Sequence, residues 1–146
     1  MAIAAWRIAR MPREVRESRV RRNRERARAK QDAALVALLE GRYGKVRQFA
    51  DEALAIPQST GLPALIAARA AIDMHEFAAA EALLARPDAS TPSLAVPRLM
   101  LEADMALAQA QSGEALAKLA ELRREAGLHT AALRLEVRAL TAAGRS

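Results

Sequence analysis

The sequence predicts an all-α chain: a stack of antiparallel helix pairs, an α-solenoid, preceded by a basic helical arm. Turn-forming stretches recur at a fixed period, namely Gly41-Arg42-Tyr43 before Val46, His75-Glu76-Phe77 before Ala80, and Ala110-Gln111-Ser112 before Ala115. Tyr43 to Phe77 and Val46 to Ala80 are both 34 residues, Ala80 to Ala115 is 35, and Gly144 falls 34 after Ala110. The composition agrees: 52% of the 146 residues are apolar and only 3% aromatic, and a chain rich in Ala and Leu suits closely packed helices better than a β-sandwich.

The arm, residues 1–29, comes first. Residues 1–30 hold eleven Lys/Arg against three Glu, whereas residues 31–146 hold twelve basic and fourteen acidic groups. The net charge of +6 is therefore local to the N-terminus. Arginines at positions 7, 10, 13, 16, 19 and 22 step by three. On a 3.6-residue helix they spiral around the rod and leave little apolar face to bury. Three readings of the arm stand open: a solvated helix partly neutralised by Glu14, Glu17 and Glu25; a segment lying on an anionic membrane surface through Trp6, Arg7, Arg10, Arg13 and Arg16; and a non-specific nucleic-acid contact. Nucleic acid is the weakest of these, because no groove-reading fold or aromatic stacking platform accompanies the arm.

Residues 30–146 read as about three and a half helix pairs. A helix over 30–40 carries Ala33, Ala34, Ala37, Leu38 and Leu39 and stops at Gly41, which tolerates the positive φ of a helix C-terminus. Its partner over 44–56 presents Val46, Phe49, Ala50, Ala53 and Leu54 and stops before Pro57. The second pair is expected over 62–74 and 77–85, closed by Arg86-Pro87-Asp88. The third is expected over 91–109 and 112–126. Pro92 suits a first helical turn, and Pro97 allows the helix to begin only there. The segment 129–143 reads as the first helix of a fourth pair. A stack ending on half a repeat should expose apolar surface, so this helix is expected either to cap the stack or to mark a boundary near Ser146.

Several classes of function are disfavoured. With no cysteine, neither a disulfide framework nor a thiolate metal site can form. The longest uncharged stretch, residues 53–68, contains Pro57, Ser59, Gly61 and Pro63 and cannot be a membrane-spanning helix, so the chain as given is expected to be soluble. His75 and His129 lie on different repeats with no nucleophile at useful spacing. The serines at 18, 59, 90, 93 and 112 fall where caps and turns belong. Asp51 and Glu52 point to different sides of a helix. The expectation is a non-enzyme. Haem ligation by His75, His129, Met74, Met100 or Met105 remains conceivable, although such methionines are more often core filler.

The small residue at each packing point (Ala34, Ala68, Ala103), the Gly-x-aromatic turn (Gly41, Tyr43) and the following Val46, Ala80 and Ala115 resemble the tetratricopeptide repeat. His75 and Ala110 replace the usual turn glycine. More narrowly, Arg10-Met-Pro-Arg-Glu-Val-Arg-Glu17, the arginine run to Arg28, and the segment Ala34 to Val46 resemble the start of the soluble part of HemY-type proteins of proteobacteria. The resemblance implies an inner-membrane tetratricopeptide-repeat protein linked with haem (tetrapyrrole) biosynthesis. It further implies two hydrophobic spans ahead of the arm, of which Met1 to Trp6 fits the tail end, and more repeats beyond Ser146, so this chain is expected to be an excised soluble part. With such spans, the positive-inside rule puts the repeats on the cytoplasmic side. The flavin-dependent oxidase that shares the HemY label is excluded, since the six glycines form no Gly-x-Gly-x-x-Gly turn.

In a tetratricopeptide stack the first helix of each pair lines the concave groove, which carries over to Gln31, Arg69, Asp73, Asp104, Arg134 and Arg138. Arg69 and Asp73, four apart, should share a face and pair. Arg134 and Arg138 share a face with no acid evident beside them. They are expected to take a carboxylate from a peptide or a porphyrin propionate, a group that the guanidinium fork binds well. The expected function is a scaffold for proteins of the tetrapyrrole pathway at the inner membrane. The alternatives are a porphyrin or haem carrier, with haem as a possible cofactor, and nucleic-acid binding through the arm.

Overall fold

The computed structural model describes residues 12–127 and 129–144; Trp6, Arg7 and Arg10 of the arm lie outside them. Within the described residues the chain is all-helical, with no strand. The helices are α1 (Arg13–Leu39), α2 (Tyr43–Leu54), α3 (Leu62–Asp73), α4 (Phe77–Leu84), α5 (Ala95–Ala108), α6 (Ser112–Ala126) and α7 (Thr130–Gly144).

The first helix is longer than the sequence pattern suggests. The pattern predicts a helical arm over 1–29 and a separate packing helix from residue 30, yet α1 runs unbroken from Arg13 to Leu39, so the arm from Arg13 onward and the first packing helix are one rod. No Gly or Pro interrupts residues 13–39, and Arg, Glu and Ala are strong helix formers. Only Ala27, Ala34 and Ala37 of α1 are buried.

The three periodic turns share one hydrogen-bond pattern. Gly41 N–H donates to Leu38 O at 3.0 Å and Arg42 N–H to Ala37 O at 2.9 Å. The same pair recurs from His75 to Ile72 and Glu76 to Ala71, and from Ala110 to Leu107 and Gln111 to Ala106. This is the Schellman closure, which needs a left-handed residue at its fifth position, just past the helix end. Gly41 supplies φ 72° without strain, whereas His75 and Ala110 adopt φ 59° with a Cβ at a cost of about 1 kcal/mol each.

The third pair differs from expectation at its start. Residues Pro87–Ser90 and Pro92–Leu94 form two short 3₁₀ turns, and α5 begins at Ala95. Pro97 sits in the first turn of α5, where its missing amide would have had no intrahelical acceptor. The start of α3 is pressed against these turns: a Cβ on Gly61 would lie 1.9 Å from the Asp88 carbonyl oxygen.

Each helix packs on the next, and the odd-numbered helices also touch in sequence, α1 on α3, α3 on α5 and α5 on α7. They form a continuous layer with α2, α4 and α6 outside it. The core is built largely of alanine, and no charged or polar residue is buried among the described residues. Counting seven back from each turn residue gives Ala34, Ala68 and Ala103, all 0% exposed. Small side chains there let paired helices approach closely. The same register in α7 is Val137, 63% exposed, flanked by Leu133 and Leu140. Helix α7 thus carries an exposed apolar stripe.

Candidate functional site

The odd-numbered helices enclose a groove of ≈ 500 Å³. Leu38 of α1 lines one end; Leu62, Leu65 and Ile66 of α3 and Met100 and Leu101 of α5 make an apolar floor; Ala131 and Leu135 of α7 close the other end. Charge is set into this floor by Arg69, Asp104, Arg134 and Arg138.

These charges are organised across three helices. Arg69 reaches Asp73 at 2.5 Å, one turn along α3, as the four-residue spacing predicted. It also pairs with Asp104 of α5. The other oxygen of Asp104 accepts from Arg138 of α7 at 3.2 Å, and the Tyr43 hydroxyl donates to Asp73 at 3.5 Å. Partial burial works to lower the Arg69 pKa, but its bonds to Asp73 and Asp104 outweigh this and hold it above the ordinary value. The guanidinium therefore stays charged, and the Asp104 side chain, 13% exposed, is compensated on both oxygens.

The expectation that neither Arg134 nor Arg138 has an acid beside it needs correction for Arg138, which shares Asp104 with Arg69. Sequence spacing could not show this, because Asp104 and Arg138 are 34 residues apart and meet only when α5 packs on α7. Arg134 has no ion-pair or hydrogen-bond partner among the described residues. It is the open cation of the groove.

Gln31 does not join the groove. Its carboxamide oxygen accepts from the Thr60 hydroxyl at 3.2 Å, and it lines a separate cavity of ≈ 630 Å³ with Arg24 and Arg28. Sequence reasoning missed that cavity, although Arg24, Ala27, Arg28 and Gln31 fall at the spacing of a single helix face. Arg13 and Arg16 lie exposed at the start of α1.

The residues considered for iron also separate. His75 sits in its left-handed turn with its ring edge-on to Phe77 at 5.5 Å, and His129 precedes α7. Met105 packs against the core cluster that includes Ala68 and Leu84, and Met74 caps the C-terminus of α3. Met100 alone of this set lines the groove. Among the described residues no three His, Asp or Glu side chains converge to hold a metal ion, and no helix is long and apolar enough to cross a membrane.

The family model described as the HemY protein N-terminus matches residues 3–75, half of the chain, taking in the arm, the first helix pair and α3. No curated protein and no solved structure matches the chain. This family is associated with haem biosynthesis and with membrane-anchored proteins, and the matched region is not a known catalytic domain. The long basic helix running directly into a helix pair closed at Gly41-Arg42-Tyr43 is what that match spans, and on it the chain belongs to the HemY family.

Proposed function

We propose that this chain is a non-catalytic protein-interaction scaffold of haem biosynthesis at the cytoplasmic face of the bacterial inner membrane, folded as a tetratricopeptide-like solenoid. The observation that carries this reading is the groove: an apolar floor from three helices, a fixed Arg69–Asp104–Arg138 network, and Arg134, whose guanidinium has no partner among the described residues. Such a surface suits an apolar segment bearing a carboxylate, which the planar fork of Arg134 binds in two-point fashion. The contact from α1 to α3 to α5 to α7 supports the solenoid, since repeats stacked in one direction touch only their neighbours. The basic arm supplies attraction to an anionic membrane surface.

The test is affinity capture from detergent-solubilised membranes, comparing the wild-type chain with Arg134→Glu. Arg134 is the better position to reverse, because Arg138→Glu would set a second carboxylate against Asp104 and perturb the fold. Recovery of tetrapyrrole enzymes by wild type and their loss with Arg134→Glu is the expected result; equal recovery by both would refute the groove. One observation favours a second reading as a porphyrin or haem carrier, namely that Met100 and Arg134 share the groove, offering a thioether for iron and a guanidinium for a propionate. A Soret shift with haemin that Met100→Leu abolishes would establish it.

A further inference from the structure

The ≈ 630 Å³ cavity between α1 and the turns that precede α3 and α5 shares only Leu62 with the groove. Its walls are Arg24, Ala27, Arg28 and Gln31 from one face of α1, the turn from Gln58 to Gly61, and Asp88, Thr91, Ser93 and Leu94 beyond α4. Hydrogen-bond accounting shows what it offers. The Gln31 carboxamide oxygen is taken by Thr60 and that of Gln58 by Asn23, at 3.0 Å, which leaves the NH₂ group of each amide as its open end. The lone carboxylate in the wall, Asp88, is held in two-point fashion by Arg86 at 2.9 and 3.0 Å. Arg24 and Arg28 have no partner among the described residues. Thr91 and Ser93 bond each other at 3.3 Å, so one of these two hydroxyls keeps a proton to donate.

The cavity is therefore lined by surplus donors, while the amide oxygens of Gln31 and Gln58 and both oxygens of the Asp88 carboxylate each already accept a hydrogen bond. Its far wall is preorganised, because the close approach of Gly61 to Asp88 locks the two turns together. We infer that this cavity is an anion site for a phosphate group, held between Arg24 and Arg28 with Gln31, Gln58 and the Thr91/Ser93 pair as further donors. Two guanidiniums and several neutral donors exceed what the two oxygens of a carboxylate can accept, whereas the oxygens of a phosphate match them. The space is larger than a bare phosphate needs, and Ala27, Leu62 and Leu94 give it an apolar side. That side suits a phosphate carrying an apolar group, as in a lipid headgroup, while free phosphate presents the same chemistry to the arginines.

The proposal is independent of the Arg134 groove. The experiment compares wild type, Arg24→Gln with Arg28→Gln, and a charge-matched control, Arg22→Gln with Arg26→Gln. The control arginines are also one helical turn apart and exposed but do not line the cavity. Two probes are titrated: inorganic phosphate by calorimetry, and phosphatidylcholine vesicles with and without a quarter phosphatidylglycerol by co-sedimentation. The expected result is saturable binding that falls about tenfold in the Arg24/Arg28 variant, as when charge-assisted bonds are removed, with a much smaller change in the control. Binding to phosphate in solution identifies the free anion as a ligand; the same contrast confined to phosphatidylglycerol vesicles identifies the headgroup. Equal losses in both variants would overturn the site and leave only diffuse attraction by the arm. No binding to either probe would overturn both.

Discussion

Helices α3 and α7 occupy corresponding places in the layer of odd-numbered helices, 69 residues apart in register, yet they live in different environments. Nine of the twelve α3 residues are buried, from Pro63 to Ile72, because α1, α2, α4 and α5 surround it. In α7 only Ala132, Leu135 and Ala139 are buried, while Leu133, Val137 and Leu140 are 40–63% exposed. The side chains follow the neighbourhood: α3 places Ala64, Ala68 and Ala71 where α7 has Leu133, Val137 and Leu140. Where a helix is covered at close range the position must be small, and where it is bare a larger side chain is accommodated.

The largest test of that contrast is to enlarge the same register in both helices. Ala68→Leu should cost about 3 kcal/mol by overpacking, whereas Val137→Leu should stay within about 0.5 kcal/mol, as exposed substitutions do. Urea unfolding of the two variants measures both, and equal losses would break the comparison. Next in size is Gly61→Ala at the start of α3. The new Cβ meets backbone rather than a yielding side chain, so a loss of about 2 kcal/mol is expected, together with weakened binding in the adjoining cavity.

A gain should come from the turn that precedes α6. Ala110→Gly relieves a left-handed residue and should stabilise the chain by about 0.5–1 kcal/mol, seen as a higher Tm; no gain would mean that the turn is not strained. The smallest effect concerns pH. The hydrogen bonds from Arg86 hold the Asp88 carboxyl below its ordinary value. A depressed carboxylate contributes stability that is present above its unfolded pKa and is lost as pH falls through the folded one. Both side chains are more than a third exposed, at 40% and 37%, so the contribution is small. Asp88→Asn should flatten the acid limb of the stability curve below about pH 4 and leave neutral pH almost unchanged.

Helix existence, the period and the turns were legible because they are local. A Schellman closure spans six residues, and Gly41, His75 and Ala110 each take its left-handed fifth position, with a small or aromatic residue following at fixed spacing. That the arm and the first packing helix form one rod was not legible, because the arginine spiral has no apolar period to continue into residues 30–39, although the helix propensity of both segments permits it. The Arg69–Asp73 pair was legible from its four-residue spacing. The link to Asp104 and Arg138 was not, since it joins residues of three different helices.

The sequence by itself determined that this chain is helical, where its hairpins close, and that its positive charge gathers at one end, since each depends on neighbours within a turn or two. Tertiary structure decided which charges are free. Asp104 neutralises Arg138 and leaves Arg134 open, and Gln31 turns from the groove to a second cavity where, among the described residues, Arg24 and Arg28 have no partner. A side chain's partner across a helix interface depends on the rotation and stagger of two packed rods, and a repeat period specifies neither.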